Sequence, residues 1–293
     1  MQDVLQQVVN ALSVGGTYAL LALGLAVVFS IMRLINFAHG DLMTIAGYTL
    51  LFAVSLVSFP LAVLLACAVA ILAAVAIERV GFRPVRRANM ATMLLTSFAI
   101  SVILQVAFQN LISARPLTFE TPALLMGTVD IGVLVARSQI ISIIVTLSIL
   151  VALMAFYNGT IIGMAMRAAA SDFEVCRLMG VRANSVVAAA FAISGFLAAV
   201  AGVFWVAQRS SVDPLMGFLP VLKAFIAVVL GGVGSLPGAV VGGFLLGALE
   251  VLCRALLPPD YSAYRDALVL ALVVIILVIR PQGLFGQTAI LAR

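Results

Sequence analysis

The chain has 293 residues, of which 65% are hydrophobic and only 9% are charged. Soluble domains carry about 25% charged residues, so this composition excludes an ordinary soluble enzyme and predicts an integral membrane protein. The net charge of +5 comes from arginines scattered among short connections, a pattern typical of membrane topology, and we expect no nucleic-acid partner.

Seven stretches of the chain contain no charged residue: 4–32, 42–77, 88–114, 138–166, 183–208, 224–249 and 267–279. A spanning segment needs about 20 apolar residues, and only a helix can cross singly, because its backbone groups bond within the segment. Pro60 interrupts the second stretch, and the glycines between Gly231 and Gly238 interrupt the sixth, since both residue types disfavour helix interiors.

We therefore predict an all-α, polytopic helical membrane protein, with residues 1–293 forming a single transmembrane domain. The predicted spanning helices number nine and occupy residues 5–32, 38–57, 61–80, 89–111, 138–157, 185–207, 216–231, 238–256 and 262–280.

Arginine placement predicts the orientation of these helices. With nine spans, one face of the membrane carries ten of the sixteen basic residues: Arg33, Arg79, Arg83, Arg86, Arg87, Arg167, Arg177, Arg182, Arg280 and Arg293. Cytoplasmic loops carry an excess of Lys and Arg, so this face is predicted to be the inner one. The N-terminus is then outside and the C-terminus inside.

A weak internal repeat accompanies the helix pattern. Four pairs of residues recur 177 positions apart: Asn36 and Asp213, Gly40 and Gly217, Ser58 and Ser235, Pro60 and Pro237. We interpret the matches as inverted repeats, residues 5–112 and 185–280, linked by residues 113–184. Many transporters place their substrate route between two such repeats. Chance matches in a glycine-rich chain are the alternative explanation.

The connection 158–184 is the longest on the predicted inner face. Ser171 and Glu174 have the spacing of a capping box, and Gly180 is a typical residue after a helix end. A helix this short is marginal alone in water, so it needs a surface to dock on. Either it lies at the lipid headgroups, or it receives force from a soluble partner. The candidate residues for coupling to such a partner are Arg167, Ser171, Asp172, Glu174, Arg177 and Gly180.

Nucleotide chemistry is not predicted within this chain. A phosphate-binding P-loop needs Gly-x-x-x-x-Gly-Lys followed by Ser or Thr, whereas Lys223 is the single lysine and precedes Ala224. If ATP drives the protein, it binds on partner subunits, and this chain binds no cofactor. His39 is the single histidine, so no metal site is predicted.

Several polar or glycine positions are candidates for a translocation path or gate: Asn36, His39, Gly40, Asp41, Lys223, Gly231, Gly232, Ser235 and Pro237. Ionisable groups at membrane depth often mark a pathway, and a broken helix there lines protein or a water-filled cavity. The alternatives are a structural turn at residues 36–41, snorkelling of Lys223, and a tight interhelical turn at 231–238. Glu250 is predicted to pair with Arg254.

Six motifs carry a resemblance to a known family: Gly16-Thr-Tyr-Ala-Leu20, Ile35-Asn-Phe-Ala-His-Gly40, Glu78-Arg-Val-Gly-Phe-Arg-Pro-Val-Arg86, Gly163-Met-Ala-Met-Arg-Ala168, Leu230-Gly-Gly-Val-Gly-Ser-Leu-Pro-Gly-Ala239 and Pro281-Gln-Gly-Leu-Phe-Gly286. The chain resembles the permease subunits of bacterial ABC importers for branched-chain amino acids, of the hydrophobic amino acid uptake type. It is similar to the shorter of the two homologous permeases in such transporters.

The resemblance implies a non-enzymatic permease in the bacterial inner membrane that carries branched-chain or other small amino acids, or a related solute. It also implies partners: two cytoplasmic ATP-binding subunits, a second homologous permease, a periplasmic substrate-binding protein and membrane lipid. An ion-coupled secondary transporter is the alternative, but it usually uses several buried acids or histidines as relays, and here only Asp41 and Glu250 come close. An intramembrane enzyme is ranked below both, because it needs ligands converging from several spans.

Overall fold

The computed structural model describes residues 2–86, 88–122, 125–130, 134–258, 261 and 264–285, without the side chains of Gln2, Asp130 and Glu174. Within these ranges the architecture is helical apart from two short β-ribbons. The helices are α1 (Gln2–Met32), α2 (His39–Ala53), α3 (Phe59–Ile77), α4 (Arg83–Val85), α5 (Met90–Leu111), α6 (Arg137–Gly159), α7 (Ile161–Ser171), α8 (Phe173–Leu178), α9 (Ala183–Arg209), α10 (Phe218–Gly231), α11 (Leu236–Leu256) and α12 (Arg265–Ile279).

A π-helical turn, Glu78–Phe82, joins α3 to α4. The two ribbons are antiparallel pairs: β1 (Leu117–Thr118) with β4 (Ser211–Val212), and β2 (Thr128–Asp130) with β3 (Leu134–Ala136). The first ribbon ties the connection before α6 to the segment that follows α9.

Six of the described segments are long and apolar enough to cross a membrane: Asp3–Met32, Phe59–Val85, Met90–Leu111, Arg137–Gly159, Ala183–Arg209 and Leu236–Leu256. Helices also occupy the other three predicted ranges, but α2, α10 and α12 have only 15, 14 and 15 residues. At 1.5 Å per residue they reach about 22 Å, short of the ~30 Å hydrocarbon core.

The polytopic helical class is therefore confirmed, whereas the count of nine spans is not. Hydropathy does not distinguish a helix from apolar, non-helical residues beside it. The predicted ranges of the three short helices were therefore longer than the observed helices. Residues 262–263, at the predicted start of the ninth helix, lie outside the described ranges, as do Arg87, Gly286 and Arg293.

Helices α1 and α9 form the centre of the molecule. The most apolar window of α1 is 89% buried and that of α9 is 72% buried, compared with 17% for both α5 and α6. Most of the exposed large side chains on α5 and α6 are hydrophobic, so their outer faces suit lipid contact. The polar side chains discussed below therefore lie on or against the central pair.

Glycines allow close contact between helices α1 and α11 in the core. A Cβ on Gly243 would meet the backbone of Ala19, and one on Gly247 would meet Gly15. Small residues spaced by four let membrane helices approach closely, since burial from water no longer drives their association. Gly243 contacts Ala19, whereas the later Gly247 contacts the earlier Gly15, so α1 and α11 run antiparallel.

The helix boundaries of the first half repeat in the second half at the same offset of 177 residues as the sequence matches. Adding 177 to the end of α1 gives the end of α9, and the same shift moves α2, α3 and α5 close to α10, α11 and α12. Arg33 and Ser210, 177 apart, have φ of 53° and 52° and are the non-glycine left-handed residues among those described. Ser58 and Ser235 are both N-caps followed by proline in the first turn.

Candidate translocation and coupling sites

His39 anchors the beginning of the short helix α2 against the central pair. Its side chain is fully buried, and its Nδ1 shares a hydrogen bond of 2.9 Å with the hydroxyl of Ser194 on α9. The other side of the ring lies on α1 at Gly24, where an added Cβ would come within 2.6 Å of His39 Cε1. The sequence pointed to His39 but gave no signal for Ser194, because a serine in an apolar helix has many possible roles.

Asp41 follows in the first turn of α2 and is also buried. Its Oδ1 accepts a hydrogen bond of 3.2 Å from Gln105 Nε2 on α5, and Gln105 also donates to Ser101 Oγ at 3.0 Å. In the part of the chain that the structure describes, Asp41 Oδ2 and both amide atoms of Asn36 have no hydrogen-bond partner. An unpaired buried polar group costs about 1–3 kcal/mol, so these three atoms are expensive to keep.

Gly40 and Gly217 bring the first turns of α2 and α10 into direct backbone contact. A Cβ on either glycine would collide with the carbonyl of the other. Neither helix has a side-chain cap at its N-terminus. Two short helices thus meet at their N-terminal, partially positive ends inside the protein.

Lys223 lies in an ion-pair cluster contributed by four helices. Its Nζ is 3.0 Å from Glu250 Oε2 on α11 and 3.2 Å from Asp266 Oδ1 on α12. The hydroxyl of Tyr18 on α1 donates to Glu250 Oε2 at 2.7 Å, and Arg265 Nη2 lies 3.7 Å from Glu250 Oε1. The sequence alternatives for Lys223, snorkelling to the membrane surface or lining the path, did not include ion pairs between helices. A role of Lys223 in the translocation path stays a prediction.

The predicted pair of Glu250 with Arg254 is wrong. Glu250 has a side chain only 14% exposed and turns towards α10 and α12, where Lys223 and Arg265 are its partners. Arg254 lies one turn further along α11 and is exposed. A partly buried carboxylate gains more from cations inside the protein than from a solvated neighbour on its own helix.

The break between α10 and α11 forms a tight interhelical turn. Gly232 and Gly234 have φ of 108° and 92°, which other residues rarely adopt. Ser235 caps α11 by accepting from Gly238 N at 3.1 Å, and Pro237 occupies the first turn. Two residues that follow α12 hold the turn closed: Leu284 N donates to Leu230 O and Phe285 N to Gly231 O, both at 2.9 Å. Gating by Gly231, Gly232, Ser235 and Pro237 stays a prediction.

The coupling connection folds as two helices, α7 and α8. The capping box predicted for Ser171 is wrong, because Ser171 is still helical and its hydroxyl donates to Arg167 O at 3.3 Å. Asp172 has the extended backbone of an N-cap, with φ of −150°, and its Oδ1 accepts from Val175 N at 3.0 Å. The side chain of Glu174 lies outside the described part of the chain.

Apolar contacts hold these two helices on the core, while one edge stays free. Met166 and Cys176 are buried, whereas Leu178 and Met179 are 86% and 80% exposed. Gly180 follows α8 with φ of 85°. The guanidinium of Arg167 lies 5.5 Å from the centre of the Tyr157 ring. The connection therefore has a fixed face and an exposed apolar edge.

The chain matches the family described as branched-chain amino acid transport system / permease component over residues 7–278. The chain belongs to this family. The resemblance inferred from the six motifs is thereby confirmed.

Relatives of this permease chain agree with the family match. It is 38% identical to the high-affinity branched-chain amino acid transport system permease protein BraD of Pseudomonas aeruginosa, covering 97% of this chain and 96% of the relative. Identity to LivH of Escherichia coli K12, of the same description, is 34% with the same coverage. The ribose import permease protein RbsC of Haemophilus influenzae is 26% identical, over 94% and 85% of the two chains. No solved structure matches.

Within this permease, the structure brings some predicted site residues together and separates others. His39, Gly40 and Asp41 share the first turn of α2, and Gly40 meets the beginning of α10. Lys223 lies with Glu250 and Asp266, while Gly231–Pro237 form a turn closed by the chain end. Sequence reasoning missed Gln105 and Ser194, whose only available signal was polarity within an apolar helix.

Proposed function

We propose that the chain is the permease subunit of an ATP-driven importer that carries branched-chain or other small amino acids, or a related solute, across the bacterial inner membrane. The observation that carries the proposal is 38% identity to BraD over 97% of this chain. The ribose permease relative is 26% identical, so the amino-acid relatives are the better guide to substrate class.

The family match argues against the ion-coupled secondary transporter. The contacts of Asp41 and Glu250 add to this argument. Glu250 is neutralised by Lys223 at 3.0 Å, and Asp41 accepts from the neutral amide of Gln105. A proton or ion relay usually runs through several intramembrane acids or histidines, and this pair belongs to two separate clusters.

The transporter requires partners besides this permease. The family implies ATP-binding and substrate-binding subunits, because the permease component is one part of a transport system. We propose two cytoplasmic ATP-binding subunits, a second homologous permease and a periplasmic substrate-binding protein. ATP then binds on the partners, in keeping with the lack of a P-loop sequence here.

An inverted repeat explains the helix offsets. We propose that α1, α2, α3 and α5 form one repeat and α9, α10, α11 and α12 the other, with residues 113–184 as the link. The two left-handed residues, 177 apart, and the contact of Gly40 with its counterpart Gly217 support this arrangement. Two equivalent residues touch when a pseudo-two-fold axis runs between them.

The junction of α2 and α10 is the best candidate for the translocation path. Broken helices in transporters direct their N-terminal ends at anionic substrate groups near the bilayer midplane. Here two such ends meet, and Asn36 and Asp41 hold unpaired polar atoms next to one of them. A zwitterionic amino acid offers a carboxylate for the helix ends and an ammonium group for Asp41.

The coupling connection is proposed to receive force from the ATP-binding subunits. With the N-terminus outside and the C-terminus inside, α7, α8 and the turn at 231–238 all lie on the inner face. Buried Met166 and Cys176 attach α7 and α8 to the core, so a push on exposed Leu178 or Met179 is passed to the central helices.

Reconstituted transport tests the proposal. The tagged chain is co-expressed with candidate ATP-binding, permease and substrate-binding subunits, and the purified complex is placed in proteoliposomes. We expect uptake of labelled leucine that needs ATP and survives collapse of ion gradients by ionophores. A complex with an inactivated ATPase subunit is the control. Uptake by the chain alone, driven by an ion gradient without ATP, would contradict the importer.

A further inference from the structure

A large basic cavity lies where α1 ends and shares helix α8 with the coupling connection. Its volume is about 1410 Å³, and it opens between the end of α1, α4, α5, α8 and the beginning of α9. Small-molecule pockets usually measure ~300–1,000 Å³, so this space exceeds what an amino acid requires. The described lining includes four arginines and no acidic residue: Arg83, Arg86, Arg177 and Arg182.

Arg86 is the fixed member of this set. Its guanidinium pairs with Glu78, which is only 2% exposed, and its Nη1 donates to Asn184 Oδ1 at 2.8 Å. The π-helical turn carries Glu78 and brings its carboxylate to face Arg86 eight residues later. Arg86 is thereby held rigidly, and its charge is largely compensated by Glu78.

The other three arginines add positive charge to the lining. Arg83, Arg177 and Arg182 are exposed, and the ion pairs found among described side chains give none of them an acidic partner. Three cations that line one cavity repel one another and attract an anion. Guanidinium groups bind phosphate oxygens in pairs of parallel hydrogen bonds, which makes phosphate their best-matched ligand.

The same cavity also has an apolar wall. Ile31 and Met32 at the end of α1, Met93 on α5, and Phe173 and Leu178 on α8 line it together with the arginines. A small soluble anion needs only the basic side. A molecule with a phosphate group joined to hydrocarbon uses both sides.

We propose that this cavity binds the phosphate group of an anionic phospholipid, with the first part of an acyl chain against Met93 and Ile31. The proposal rests on the proposed orientation, which places the cavity at the inner leaflet. Basic pockets between helices on the cytoplasmic side are suited to anionic headgroups, and attraction to the anionic surface adds to the local contacts. The bound lipid then joins α8 of the coupling connection to α1 and α4.

Lipid retention by the purified full-length chain tests the site. The double variant Arg83→Gln with Arg182→Gln removes two cations from the lining without touching the coupling residues. The matched control is Arg79→Gln with Arg280→Gln, because both arginines are exposed, face the same side and are absent from the lining. Native mass spectrometry counts phosphatidylglycerol retained against phosphatidylcholine.

We expect wild type and control to retain phosphatidylglycerol selectively, and the lining variant to require at least ten times more lipid for the same occupancy. Equal retention by both double variants overturns the proposal. If millimolar glycerol 3-phosphate displaces phosphatidylglycerol and is bound equally well, the arginines bind a soluble phosphate. That result overturns the lipid site.

The assembled transporter provides the last arm of the test. Loss of selective lipid retention when the ATP-binding subunits are bound makes the cavity their docking surface and overturns the proposal. ATP-driven leucine uptake is measured on the same preparation. Normal uptake without selective retention contradicts only the lipid site, whereas selective retention without ATP-driven uptake contradicts only the importer.

Discussion

The two short helices α2 and α10 occupy equivalent places but are held by different chemistry. Each follows a left-handed residue, begins at a glycine contact and leads to a Ser-x-Pro cap. Helix α2 is fixed by hydrogen bonds of His39 and Asp41 to uncharged side chains, whereas α10 is fixed by the ion pairs of Lys223.

The counterparts of these residues are apolar. The position of His39 corresponds to Met216, that of Asp41 to Phe218, and that of Lys223 to Ala46. The two helices thus share backbone features but differ in their polar anchors. We therefore expect that one anchor can be weakened chemically without altering the other, and the variants below test that independence.

The largest effect is expected from Lys223→Met, which removes the central cation of the cluster. Glu250 and Asp266 then repel each other and keep the more distant Arg265 as a cationic partner, so the free energy of unfolding should fall by about 3 kcal/mol. Thermal unfolding in detergent measures it. Arg254→Met, an exposed cation on α11, is the matched control and should change little. Equal stability of the two variants would show that the cluster does not anchor α10.

A second test breaks the contact shared by the two short helices. Gly217→Ala places a Cβ against the carbonyl of Gly40. The carbonyl carbon and oxygen belong to the backbone, so they cannot move aside easily. We expect a loss of about 2 kcal/mol and a strong loss of uptake. Gly159→Ala is the control, because an added Cβ there meets nothing within 4 Å. A Gly217→Ala protein as stable and active as the control would refute the close junction.

Ser194→Ala removes the hydrogen bond between Ser194 and His39 that anchors α2, and it leaves the ion pairs of Lys223 intact. It leaves His39 Nδ1 unpaired in a fully buried place, which costs about 1.5 kcal/mol. Ser148→Ala, an exposed serine bonded to its own helix, is the comparison. Combining Ser194→Ala with Lys223→Met should give additive losses if the two anchors are independent. Marked non-additivity would show that the halves are energetically coupled.

Much of the architecture was predictable because it depends on local composition. Charge-free stretches located the helices to within a few residues, and the motifs identified the family. The capping of α8 was not predictable in detail: Ser171 and Asp172 are both good caps, and only the extent of α7 decides between them. The partners of Glu250 lie on other helices, and sequence spacing cannot show contacts made across the fold.

The smallest effect is expected in the segment that joins the halves. Asp172→Ala removes the cap of α8 and should destabilise that helix by about 1 kcal/mol. Ser171→Ala is the matched control, since its hydroxyl only donates back within α7. In the assembled transporter, stimulation of ATP hydrolysis by substrate should fall in the first variant and persist in the second. The opposite result would restore Ser171 as the cap.

The hydrogen bonds from Leu284 and Phe285 to the carbonyls at the end of α10 also bear on biosynthesis. Those carbonyls emerge from the ribosome well before the amides that bond to them. These two hydrogen bonds can therefore form only after α11 and α12 have been synthesised, so the end of α10 gains these partners later than the rest of that helix does.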